Sequence, residues 1–137
     1  MKIPLKLDYA CRVLIQLIPT FGTDEVARIE DLADREAVSP TYLVQVLNDL
    51  RNAGLVVSRR GKLGGFALAR SPRSITLEDI LLAVEGPFLE PPSAKPGESG
   101  GRTADLWRRL ASRLREFARQ TTLEDVARGD GPAMYYI

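Results

Sequence analysis

The side chains able to do chemistry in this 137-residue chain fall into two neighbouring groups. Ser39, Thr41, Tyr42, Gln45 and Asn48 are hydrogen-bonding groups gathered within ten positions. Arg59, Arg60 and Lys62 follow beside Gly61, Gly64 and Gly65. The first group has the short donors and acceptors that suit base edges in a major groove. The second pairs cations with glycines that let backbone approach phosphates or a narrow groove. Other chemistry is excluded by what is missing. Histidine is absent and cysteine occurs once, as Cys11. That removes histidine-based nucleophilic catalysis, histidine metal ligation, an imidazole pH switch, an internal disulfide and a thiolate zinc or iron–sulfur site. Catalytic residues, metal ligands and cofactors are all expected to be none. The acids at Glu30, Asp31, Asp34 and Glu36 read as a solvated face, not a paired-carboxylate site.

The overall charge hides this arrangement. Nineteen Lys and Arg against eighteen Asp and Glu give +1. Residues 24–36 hold six acids against two arginines, net −4. Residues 39–74 hold six cations against Asp49 alone, net +5. Residues 102–119 hold six arginines against Asp105 and Glu116, net +4. Two basic segments clustered on one element would favour a polyanion partner, although a solvated face explains such runs as well. No apolar run reaches the roughly 18 residues a membrane span needs. The opening Met-Lys-Ile-Pro-Leu-Lys-Leu-Asp lacks an apolar signal core, so the expected location is the cytoplasm.

Elements must hold these groups in place. Tyr9, Ala10, Val13, Leu14, Leu17 and Ile18 recur at helical spacing and predict a helix over about 5–18. A short helix fits 29–37, with Ile29, Leu32 and Ala33 inward. Ser39 is a good N-cap, Pro40 suits the first helical position, and Gly54 falls where a left-handed residue ends a helix. Leu43, Val46, Leu47 and Leu50 form the buried stripe between them. Leu55–Arg60 and Phe66–Arg70 read as strands around Gly61-Lys-Leu-Gly-Gly, a hairpin with a basic tip. Thr76, with Asp79, starts a further helix. Residues 86–101 hold four prolines and four glycines and read as a loop. A long helix is expected over 102–119, where Thr103, Trp107, Leu110, Leu114 and Phe117 are spaced 4, 3, 4, 3 as a heptad seam. Thr122 caps a last short helix, and the tail 133–137 is apolar.

Three helices followed by a basic two-stranded hairpin describe a winged helix-turn-helix, a mainly α fold with a small β-hairpin. The expected layout is a winged-helix domain over 1–86, a Pro/Gly-rich loop over 87–101, and a dimerisation helix with C-terminal tail over 102–137. No part is specific alone. Gln45 by itself is as well read as a solvated residue, and the glycines as turn glycines that form no P-loop. The order of the parts carries the reading. It predicts a DNA-binding module, with a winged helix kept only for protein interaction as the alternative.

The residues also carry a family resemblance. Tyr42-Leu-Val-Gln-Val-Leu-Asn-Asp-Leu-Arg-Asn-Ala-Gly-Leu-Val, Ser58-Arg-Arg-Gly-Lys-Leu-Gly-Gly-Phe-Ala-Leu-Ala-Arg and Ile75-Thr-Leu-Glu-Asp-Ile-Leu-Leu-Ala-Val-Glu-Gly-Pro closely resemble the Rrf2 family of bacterial transcription regulators. The opening Leu7-Asp-Tyr-Ala-Cys-Arg-Val-Leu is similar to that family's first helix. The resemblance implies a homodimeric repressor that binds a palindromic operator in double-stranded DNA. Its long helix would make the dimer interface through Trp107, Leu110, Leu114 and Phe117. It implies that Thr41, Tyr42 and Gln45 contact DNA and that Arg60 reaches the minor groove. Val44 stands where the family's iron–sulfur regulator places a cytosine-reading glutamate, so a different operator is expected.

The resemblance also implies a departure. Many family members hold an iron–sulfur cluster with three cysteines in the loop before the long helix. Residues 86–101 contain none. Asp8 matches a carboxylate ligand of a nitric-oxide-sensing member, but alone it is expected to be a solvated first-turn carboxylate. Cys11 is expected to be a buried structural thiol. A cluster-free regulator is therefore expected, with a small molecule or a protein as its effector.

Overall fold

The computed structural model describes residues 1–61, 64–93, 95 and 97–129. Lys62 and the apolar tail 133–137 lie outside the described residues. Helix α1 spans Leu5–Leu17 and runs into a 3-10 turn at Ile18–Thr20, where Pro19 removes the donor that would continue it. Its Ala10, Val13, Leu14 and Leu17 are fully buried, so one stripe faces the core as the spacing predicts. Helix α2 spans Ile29–Glu36 and buries Leu32 and Ala33. It ends at Ala37, whose φ of 55° is left-handed and unusual for a residue with a Cβ. Helix α3 spans Pro40–Asn52, and the backbone N–H of Tyr42 donates to Ser39 Oγ at 3.2 Å. Gly54 turns the chain out of it at φ +77°.

Strands β1, Val56–Arg59, and β2, Gly65–Leu68, pair antiparallel with Ser58 opposite Phe66 and Arg59 opposite Gly65. They are shorter than the alternation suggests, because the tip opens at Arg60 and the strands leave the sheet after Leu68. Helix α4 spans Leu77–Glu85, α5 Gly100–Gln120 and α6 Leu123–Arg128. The long helix thus begins two residues earlier than position 102 and takes in both glycines. Arg102 and Thr103 N–H donate to Ser99 O, so backbone bonds start it without a side-chain cap.

Leu14 and Leu17 of α1, Leu32 of α2, and Leu43, Leu47 and Leu50 of α3 form the centre of one hydrophobic cluster, joined by Leu55, Ile75, Ile80 and Leu123. Burying each such leucine contributes roughly 1.5–3 kcal/mol. Helix α6 is drawn into this cluster by an arrangement the linear sequence does not display. The start of α4 and the start of α6 lie side by side, with Leu77 N–H to Thr121 O and Leu123 N–H to Ile75 O, each 2.8 Å. Both starts are complete capping boxes, Thr76 with Asp79 and Thr122 with Asp125. Among the described residues, no helix is long and apolar enough to cross a membrane.

Candidate nucleic-acid interface

The capped start of α3 decides which side chains face outward. Leu43, Val46, Leu47 and Leu50 are turned into the core, so the residues on the other side of the helix face solvent. Thr41, Val44 and Gln45 are exposed there, and Asn48 is half-buried one turn further. Together they make a row of three hydrogen-bonding groups and one apolar group along a single helix face. Two of the expected contacts have structural work as well. Ser39 is exposed, but its hydroxyl oxygen already accepts the Tyr42 N–H. The Tyr42 ring is half-buried, packs on the core and meets the Tyr9 ring edge-on at 5.7 Å.

The wing is fastened to the start of α2. Phe66 N–H donates to Ala27 O at 2.8 Å, and Ala27 N–H donates to Phe66 O at 2.9 Å. Arg59 reaches across and donates from its guanidinium to Asp24 O at 3.0 Å. A Cβ on Gly65 would lie 2.4 Å from Ala27 O, and one on Gly64 would lie 2.6 Å from Arg59 O. The paired glycines therefore permit this docking sterically, and the aromatic residue after them supplies its hydrogen bonds. The structure separates the two wing arginines. Arg59 is an anchor, whereas Arg60 is exposed and makes no hydrogen bond or ion pair among the described residues.

Arg28, Arg59 and Arg60 together line a concavity of about 380 Å³, with Gly61 and Gly64 on its wall. Arg28 occupies the N-cap of α2, which has no side-chain cap, and Glu30, which also lines the concavity, lies 3.9 Å from its guanidinium. Sequence reading passed over Arg28. Its signal was a cation one residue before a predicted helix, legible only once the wing is known to dock beside it. The acids of α2 do not form one uniform solvated face. Glu30, Asp31 and Asp34 are exposed, but Glu36 is half-buried and accepts a bond from Gln16 Nε2 at 2.8 Å.

Helix α5 presents the expected apolar stripe. Trp107 is 41% exposed, Leu110 41% and Leu114 37%, while Phe117 is half-buried. Leu106, 46% exposed, widens the stripe and was not anticipated. On the flank of the same stripe, one turn after Trp107 and Leu114, Ala111 and Ala118 are buried. An amphipathic helix with this much exposed apolar surface has the form of a helix that packs against a partner.

The residues offer little to a metal. Among the described residues no three of His, Cys, Asp or Glu come together. Asp8 is half-exposed and pairs with Arg12 at 2.8 Å across one helical turn. Cys11 is partly buried on α1, and burial, followed by the Asp8 charge, pushes its thiol up to about 11. It is the single thiol of a chain without histidine, so no second thiolate or imidazole ligand stands with it. An iron ion or cluster does not fit this donor set.

A recognition helix started by a hydroxyl cap, preceded by a short helix and followed by a docked basic hairpin, is a winged helix-turn-helix. Comparison with known proteins gives the particular lineage. The Rrf2 family model, described as "Iron-dependent Transcriptional regulator", matches residues 3–129. The chain is 36% identical to the HTH-type transcriptional regulator CymR of Bacillus subtilis, over 93% of this chain and 90% of that one. The structure of CymR, titled the global cysteine regulator of B. subtilis, superposes with a TM-score of 0.79 and 35% identity, covering 93% and 96% of the two chains. The IscR of T. potens superposes with a TM-score of 0.76 and 32% identity, covering 94% and 88%. The chain belongs to the Rrf2 family and is a transcriptional regulator of that type, not an enzyme.

Proposed function

We propose that this chain is a sequence-specific DNA-binding regulator that grips a palindromic operator as a homodimer and represses from it, without an iron–sulfur cluster. The observation that carries the reading is the row Thr41, Val44, Gln45 and Asn48 standing outward on α3 next to a wing whose orientation is fixed by Arg59. Thr41 and Gln45 supply base-edge hydrogen bonds and Val44 an apolar contact of the kind a thymine methyl accepts. Arg60, with Lys62 beyond it, enters the minor groove, while Arg28 and the start of α2 hold a backbone phosphate. The apolar stripe through Trp107, Leu110, Leu114 and Phe117 pairs with its copy. That sets two recognition helices about 34 Å apart, one turn of duplex. The reading without a cluster is supported by the single cysteine and by the lack of a converging donor set among the described residues. Protein purified without oxygen is expected to carry no stoichiometric iron.

The test is selection of bound sequences from a random duplex pool. Enrichment of one inverted repeat with half-sites a helical turn apart is the expected result. Recovery of no preferred sequence would leave the alternative, a winged helix kept for protein interaction.

A further inference from the structure

Helix α3 and strand β1 pack side by side and leave an exposed crease between them. Arg51, in the last turn of α3, reaches across it and donates from Nη1 to Ser58 Oγ of β1 at 3.5 Å. Both residues are exposed. A bond of that length is at the weak limit, and it engages only one of the several guanidinium N–H groups. Arg51 makes no ion pair among the described residues, and the Ser58 hydroxyl donates to none of them. The only acid of α3, Asp49, is already paired with Lys6. The crease therefore holds a cation and a hydroxyl whose hydrogen-bonding capacity is largely unspent.

The same contact shows which flank of the exposed row borders the wing. Residues seven apart on a helix lie on almost the same line, about 10 Å apart along the axis. Val44 and Arg51 are related in this way, and Arg51 touches β1. Val44 is therefore on the wing side of α3, and Gln45 stands further round, away from it. A helix in a major groove and a wing in the next minor groove straddle one sugar–phosphate strand, the wall that the two grooves share. In the docking proposed above, that strand passes between α3 and β1. A forked cation beside a hydroxyl donor is what a phosphate group accepts from.

We propose that the α3–β1 crease is a phosphate site, in which Arg51 and Ser58 together grip the backbone phosphate between the major groove read by α3 and the minor groove entered by the wing. The guanidinium donates to it with the N–H groups that Ser58 leaves free, and the Ser58 O–H donates beside them. The contact carries no sequence information of its own. It fixes the register of helix and wing on the duplex at once, because one residue comes from each. The site rests on the function proposed above, and its test separates the two.

The test measures binding of the full chain to the selected operator and to a scrambled duplex over a range of salt. It also uses operators in which one phosphate at a time is replaced by an uncharged methylphosphonate. Arg51→Gln is expected to weaken both duplexes by a similar factor, about tenfold or more, as for one lost hydrogen bond to a charged group. Its salt slope should fall by about two, roughly 0.9 for each copy of Arg51 in a dimer. Arg51→Lys keeps the native slope and recovers part of the affinity, because the charge remains and the fork is lost. Ser58→Ala gives a smaller loss with the slope unchanged. In the native chain, one methylphosphonate per half-site, on the strand between the two grooves, weakens binding by about tenfold, and Arg51→Gln is insensitive to that substitution. Arg51→Gln with the native salt slope, or with native sensitivity at every phosphate, would overturn the site and leave Arg51 as a strut between helix and wing. A native chain that selects an operator while Arg51→Gln binds it equally well would overturn the site alone. A native chain without affinity for either duplex would overturn the proposed function, and the site with it.

Discussion

Two adjacent arginines divide their labour because Arg59 is the last residue of β1 and Arg60 already belongs to the open tip. Arg59 is spent on the Asp24 carbonyl, and Arg60 is left for a ligand. Replacing Arg60 by Ala is expected to cost about 1–3 kcal/mol of operator binding with stability unchanged. Binding isotherms with a melting curve on the same preparation decide this, and unchanged affinity would remove Arg60 from the interface. Gly65→Ala should act differently. Its Cβ would meet Ala27 O at 2.4 Å, so the two hydrogen bonds between Phe66 and Ala27 must lengthen. A loss of about 1–3 kcal/mol of stability is expected, the usual cost of forced overpacking. Cys11 gives a third check at this scale. With its thiol raised from 9.0 to about 11, the thiolate fraction at mildly alkaline pH is about a hundredfold below that of a free cysteine. Its alkylation rate should still be climbing above pH 10, and a plateau near pH 9 would contradict the effect of its burial and of Asp8.

Helices were legible in proportion to how local their causes are. The Ser39–Pro40 start, the Gly54 stop and the Thr76–Asp79 box are side-chain signals written within a few residues, and each marks an observed boundary. The start of α5 was misplaced because Gly100 and Gly101 are poor helix formers, and backbone bonds to Ser99 carry the helix through them. Two features had no local signal at all: the clasp of Ala27 on Phe66 and that of Thr76 on Thr122. Each joins segments far apart in the chain through backbone groups, which leave no periodicity to read. The candidate site was legible to the same extent. The α3 row follows from the helical period, whereas Arg28 as a neighbour of the wing, and Arg59 as an anchor, depend on the Ala27–Phe66 clasp.

The second capping box gives a pH test of an element. Asp125 is held below its ordinary range, chiefly by the Thr122 backbone N–H, against the opposing effect of burial and with further help from the Thr122 hydroxyl and Arg128. A folded pKa below the unfolded value adds stability above the unfolded pKa and loses it as pH falls through the folded one. Asp125→Asn is therefore expected to lower the melting temperature at neutral pH and to converge with the native chain at strongly acid pH. A constant offset at every pH would assign the effect to shape and not to charge.

The whole molecule shows why a net charge of +1 is compatible with a nucleic-acid partner. The acids of 24–36 and the cations of the wing and α5 occupy different elements, so the average conceals the local potential. The described chain also leaves a long apolar stripe on α5 that a solitary subunit would expose to water. Placing a charge in it, as Leu110→Glu, is expected to convert a dimer into monomers at micromolar concentration and to weaken operator binding by more than tenfold, because two half-sites are no longer held together. Sedimentation of the native chain as a monomer would contradict the pairing directly. The central claim, that the α3 row and the wing read DNA sequence, is tested most directly by fluorescence anisotropy. The native chain is titrated onto a duplex carrying the selected inverted repeat and onto a scrambled duplex of equal length, across a range of salt. Specific affinity at least about a thousandfold tighter than the scrambled affinity, with both falling steeply as salt rises, is the predicted result. Equal affinity for the two duplexes at every salt concentration would contradict it.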